Sequence, residues 1–245
     1  MKAKLLCVTM LTLTVLILGG NHYAARNEFH RESEAPPPQK KSTTKEVTQE
    51  RLVKFPGIGS VSVRVIEADK KLPRLQFSDS ASRKILLTVP VGTPDPDRQL
   101  VLRFKEISIS GLPAPLIIAI ALDEGASGCR FDAVVIGAVK GRLVLLTQTP
   151  LQAGERGGIH VGTLGRGRGS GIAVWNYIWG DREAHADPHR YEVTFYPWSA
   201  GKLRFVKGGK LRTRSRHERG EAGLSELKLS FVNLLDQFPD FADCT

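Results

Sequence analysis

LIIAIALDEGASGCRFDAVVIGAVKGRLVLLTQ, residues 116–148, decides the fold class. Its apolar runs LIIAIAL (116–122), FDAVVIG (131–137) and RLVLLTQ (142–148) are short, rich in aliphatic and β-branched residues, and separated by Gly- and Asp-containing turns. Runs of that length bounded by turn residues read as strands rather than helices. Ala138–Gly141 joins the last two through a short Gly-containing loop, which makes them an antiparallel hairpin.

The same pattern extends outward. Upstream, SVSVRVIEA (60–68) puts Val61, Val63 and Val65 on one face, and KILLTVPV (84–91) and LVLRFKEISIS (100–110) follow. Downstream come GIHVGTL (158–164), GIAVWNYIW (171–179), RYEVTFYPW (190–198) and KLRFVKG (202–208), the last two joined as a second hairpin by Ser199–Gly201. No segment between 57 and 220 carries a helical period. The expected fold is therefore mainly β: an antiparallel sandwich or a propeller-like sheet. A short C-terminal helix is expected in AGLSELKLSFVNLLDQF (222–238), where Leu224, Leu227, Phe231, Leu234 and Leu235 approximate one face.

LIIAIAL, the glycine-bearing DEGASG and CRFDAVVIG are echoed by GIHVGTL, GRGRGS and GIAVWNYIW, and each set leads into a hairpin. The offset is about forty residues, the size of a four-stranded propeller blade. In this order of strand, Gly-rich loop, strand and hairpin, residues 116–148 and 159–207 resemble the FG-GAP and related blades of exported and cell-surface β-propellers. The resemblance implies a calcium-binding loop with alternating aspartates. Here that loop is Gly165–Gly169, with Arg166 and Arg168 where oxygen ligands would be needed, so calcium is not expected there.

The N-terminus indicates location. Lys2 and Lys4 precede an apolar to weakly polar run from Leu5 to Leu18, the layout of a secretory signal and short for a membrane-spanning helix. Cleavage after Ala25 or Gly20 would follow poorly matched residues, so residues 1–25 read as a signal peptide or a retained membrane anchor. Residues 26–56, containing Pro36–Pro38, are charged and polar and read as a flexible tether. Residues 57–245 are left as one β-rich domain, expected to be periplasmic or extracellular, with membrane contact only through a retained anchor. In such a compartment Cys129 and Cys244 are expected to pair as a disulfide.

Three clusters carry chemistry. In WGDREAHADPHRY, an extended backbone would point His185, Asp187 and His189 the same way, with Asp181 or His160 as a fourth ligand, the donor set of a zinc or non-haem iron site. Pro188 favours the alternative, a polar loop between two strands. Trp175, Tyr177 and Trp179 share one strand face and would suit stacking on a sugar ring, unless they fill the core instead. The formal net charge of +10 is concentrated late, in Lys202, Arg204, Lys207, Lys210, Arg212, Arg214, Arg216 and Arg219. With Arg166 and Arg168 these could form a surface for anionic polysaccharide or another cell-envelope component. Nucleic acid is disfavoured by export and by the lack of a reader motif.

The sequence contains no GxSxG elbow, HExxH, P-loop or dinucleotide fingerprint and implies no cofactor. Asp79, Asp95, Asp97, Asp123 and Asp132 could place carboxylates at strand ends, but turns recruit aspartate anyway. No catalytic residue is assigned, and a non-enzyme is favoured. The leading expectation is an exported structural or interaction domain of unknown partner, the candidates being an anionic polysaccharide, a cell-envelope component or another exported protein. The alternatives are a carbohydrate- or cell-envelope-binding module and a metal-dependent enzyme.

Overall fold

A computed structural model describes residues 49–67, 72–93, 100–125, 128–165 and 167–244, the side chains of 242–244 excepted. The leader (1–25), most of the tether, and Arg166 lie outside them. Three antiparallel sheets follow one another along the chain, as the alternation predicts. The first has the order β1 (Glu50–Phe55), β2 (Gly59–Ile66), β3 (Arg74–Asp79), β4 (Ile85–Pro90). Its first strand occupies residues that the sequence assigns to the tether: Val53 and Phe55 pair with Val61 and Gly59 and turn their side chains into the core.

The middle sheet runs β5 (Leu100–Ile107), β6 (Leu116–Gly125), β7 (Gly128–Val139), with β8 (Arg142–Leu145) and β9 (Leu151–Gly154) both pairing with β7. The third runs β10 (Gly158–Thr163), β11 (Ser170–Ile178), β12 (Arg190–Ser199), with β13 (Arg204–Phe205) and β14 (Lys210–Arg212) both pairing with β12. These two sheets share a plan in which a long third strand carries two short partners end to end. The β7–β8 turn is two residues, Lys140 (φ 49°) and Gly141 (φ 72°), both left-handed as a tight hairpin twisting with its strands requires.

Three apolar clusters join the layers. Val61, Val63 and Phe77 of the first sheet meet Ile117, Ala119 and Ala121 of β6. On the other face of β6, Leu116, Ile118, Ile120 and Leu122 meet Ile159, Ile172 and Val174 of the third sheet. Residues 116–123 are buried without interruption, which explains why LIIAIAL shows no polar alternation. The outer face of the third sheet contributes Trp175, Tyr191, Val193 and Phe195 to a third cluster, closed by Leu224 and Leu229.

The C-terminal helix exists but is short. α1 spans Gly220–Glu226 and gives way to Lys228 at φ 54°, with Leu229 N–H donating to Leu224 O at 2.9 Å. The remaining apolar positions are buried by an extended strap and two 3-10 segments, Leu235–Gln237 and Pro239–Cys244. Asn233 anchors the strap: its Oδ1 accepts from Ile159 N–H at 3.1 Å, while Leu234 N–H donates to Ile159 O at 2.7 Å. Arg103 and Lys105 of β5 hold Asp240 and Gln237 at 2.5 and 2.6 Å.

One expectation is corrected. No disulfide joins two described side chains, because that of Cys244 lies outside them, so the Cys129–Cys244 bridge is not a feature of the described structure. Cys129, near the start of β7, is nonetheless not a free thiol. Among the described residues no helix is long and apolar enough to cross a membrane.

Candidate ligand-binding site

The three aromatic residues expected on one face of β11 separate into different environments. Trp175 is 1 % exposed and belongs to the core. Glycines make room for it: a Cβ at Gly158 would lie 2.1 Å from Trp175 Cζ2, and one at Gly220 2.7 Å from its Nε1. The expected role of Trp175 as a binding surface is therefore corrected; α1 covers the centre of this face. Tyr177 is half-buried at the edge of that cover, and Trp179, past the end of β11, is 49 % exposed.

Tyr177 and Trp179 form a perpendicular pair, their ring centroids 5.1 Å apart and their planes at 77°. Both rings are held from behind. His189, fully buried, stacks on Tyr177 at 4.6 Å, and its Nδ1 lies 3.0 Å from Glu183 Oε2. His185 meets Trp179 edge-on at 4.7 Å, and Tyr177 Oη lies 3.3 Å from its Nδ1. Burial, and after it the nearby Glu155 carboxylate, raise the Tyr177 pKa.

These two rings line a cavity of about 310 Å³ together with Arg130, Gln152, Ala153, Gly154 and Asn176, at the seam where β9 meets β11. Sheet pairing sets its polar wall. Asp123 is directly opposite Arg130 across β6 and β7, and Asp132 is opposite Gln152 across β7 and β9. Arg130 Nη2 lies 2.9 Å from Asp123 Oδ2, and Asp132 accepts from Gln152 Nε2 and Thr93 Oγ1, both at 2.9 Å. Asn176 ties the two sheets together, accepting from Gly154 N–H at 2.6 Å and donating to Gln152 O at 2.9 Å. The wall is thus fixed before any ligand arrives, and Gln152 Oε1 faces no hydrogen-bond partner among the described residues.

No family model, curated protein or solved structure matches this chain. The site is consequently described by its own chemistry.

The His/Asp/His set is not brought together. Among the described residues, no three His, Cys, Asp or Glu side chains are grouped to hold a metal ion. Residues 179–188 form turns rather than a strand, so the period-two geometry that would align His185, Asp187 and His189 is absent. Asp187 Oδ2 accepts from Ala184 N–H at 2.7 Å, the local turn bond that Pro188 favours. His160 is elsewhere, stacked on Phe231 at 4.5 Å with its ring nitrogens 3.2 Å from Val232 O and Thr163 O.

Several expected surface cations are engaged internally. Arg168 lies over the Phe195 ring at 4.4 Å from its centroid. Lys210 and Arg212 both bind Glu192, and Arg216 Nη2 lies 2.6 Å from Glu183 Oε1. Arg130, Gln152 and Glu155 were not singled out by sequence reasoning, since their grouping depends on the register of three strands. Asn176 was the legible signal, a polar residue within an apolar strand.

Proposed function

We propose that this protein is an exported module that binds a saccharide of the cell envelope in the cavity between β9 and β11. The exposed Trp179 ring, braced perpendicular to Tyr177 above a fixed polar wall, carries the reading. An aromatic plane covers the apolar C–H face of a sugar, while adjacent donors and acceptors take its hydroxyls. Here Arg130 and Asn176 are the donors and Gln152 Oε1 the acceptor. The cavity accommodates one or two sugar units, which suits the end or one subsite of a longer chain.

Depletion of the purified protein by insoluble peptidoglycan tests the reading. Trp179→Ala is expected to weaken retention about tenfold or more, with the far-ultraviolet circular dichroism unchanged. Equal retention of the variant and the parent would remove the cavity from consideration.

A further inference from the structure

The outer face of the first sheet is built unlike that of the third, which α1 closes. Three of the six large apolar side chains exposed among the described residues, Leu52, Ile85 and Leu86, belong to the first sheet. Cross-strand register arranges its outer face in rows. Leu52, Ser62, Ser78 and Ile85 are successive partners from β1 to β4. Both serines are buried, so this row presents its aliphatic ends, Leu52 at 62 % and Ile85 at 57 % exposed. The neighbouring row is Glu50, Arg64, Gln76 and Thr88, followed by Ile66, Arg74 and Pro90; on the other side Lys54 stands opposite Ser60.

The charges of this face are mostly of one sign. Arg64 Nε and Arg83 Nη1 lie 3.3 and 3.8 Å from Glu50 Oε1, and Ser62 Oγ donates to the same oxygen at 2.6 Å. Glu50 is the one carboxylate in these rows. Asp79 and Arg51 stand in the core-side rows, Asp79 opposite Val61 and Arg51 reaching Glu106 of β5 at 3.9 Å. Lys54 and Arg74 are exposed and meet no carboxylate among the described residues. Four cations (Lys54, Arg64, Arg74 and Arg83) therefore stand against one anion, a net charge of +3. Lys210, Arg212 and Arg216 of the late basic run, by contrast, are engaged by Glu192 and Glu183.

Aliphatic side chains set among unpaired cations on one sheet face suit a bilayer with anionic headgroups: the cations meet phosphates and the aliphatic tips enter the acyl boundary. A soluble polyanion would satisfy the cations and leave Leu52 and Ile85 in water. We propose that the outer face of the first sheet docks on an anionic phospholipid surface, with Lys54 and Arg74 at the headgroups and Leu52 and Ile85 inserted between them. β1 begins at Glu50, so the chain carrying the apolar leader joins the domain at an edge of this same face. The saccharide cavity involves only the middle and third sheets, so this inference stands independently of that reading.

Co-sedimentation of the full-length protein with vesicles of phosphatidylcholine, or of phosphatidylcholine and phosphatidylglycerol in equal parts, tests the proposal. The leader is the same in every variant, so differences between variants report the sheet. The parent is expected to bind the anionic vesicles about tenfold or more tightly than the neutral ones, and Lys54→Gln with Arg74→Gln to lose most of that preference. Lys202→Gln with Lys207→Gln removes the same charge from exposed positions beside β13 and is expected to change the preference by less than about twofold. Leu52→Ser with Ile85→Ser is expected to weaken binding to the anionic vesicles about tenfold, with the far-ultraviolet circular dichroism unchanged.

A parent without preference for the anionic vesicles overturns the proposal, as does a preference undiminished by the Lys54 and Arg74 substitutions. An equal loss in the Lys202 and Lys207 variant also overturns it, because net charge would then suffice. Unchanged binding after the Leu52 and Ile85 substitutions overturns the lipid assignment and gives the face to a soluble polyanion.

Discussion

Two tryptophans four residues apart in the chain have opposite roles, and their substitutions should separate stability from binding. Trp175 fills a space shaped by Gly158 and Gly220. Trp175→Ala is expected to destabilise by roughly 3–5 kcal/mol in urea denaturation, whereas Trp179→Ala is expected to change stability by less than about 0.5 kcal/mol. Gly158→Ala would push a methyl group into the Trp175 ring and is expected to cost about 1–3 kcal/mol by the same measurement. The period of β11 showed that Trp175 and Tyr177 share a face. It could not show where α1 stops covering that face, because this is set by the contact of Gly220 and Gly223 with Trp175 and Tyr191.

At the level of elements, the strap after α1 closes the second core cluster through one side chain. Asn233 is 8 % exposed and occupies the Ile159 N–H at the start of β10. Asn233→Ala leaves that donor buried without its partner and is expected to cost about 1–3 kcal/mol, with faster amide exchange at Ile159 as the local sign. Most of the longer strands and both hairpins were legible because their cues are local, namely alternation in β2, the Lys140–Gly141 turn and short apolar runs, whereas β3, β9 and β14 were not read. The C-terminal period was read correctly as burial but stretched into too long a helix. Leu224, Leu234 and Leu235 do face the core, but only Leu224 does so from α1, and a left-handed residue and a strap deliver the other two. β1 was hidden for a related reason, since its polar residues Glu50, Arg51 and Lys54 resemble the tether before it. The cavity wall was illegible because Asp123, Arg130, Asp132 and Gln152 meet only through the register of β6, β7 and β9.

For the whole molecule, acid is the condition to watch. Hydrogen bonds from Arg214 N–H and His217 hold Glu226 down to about 2, and those from Gly180 N–H and His189 hold Glu183 below its ordinary value. Burial pushes Glu192 upward, but Lys210 and Arg212 outweigh it and its pKa is lowered as well. Groups with depressed folded-state values contribute stability above the ordinary carboxylate range and lose it as pH falls through the folded value. Thermal melts are therefore expected to hold their midpoint from neutral pH to about 5 and to drop steeply between about 4 and 2. The doubly buried β6 has a further consequence, for the order of assembly. The sheets are contiguous in sequence and stacked in the order in which they are made, so each partner is the neighbour just completed. Until the third sheet arrives, one side of the middle sheet is an adhesive apolar plane, and a chain halted near residue 157 would present it to other chains.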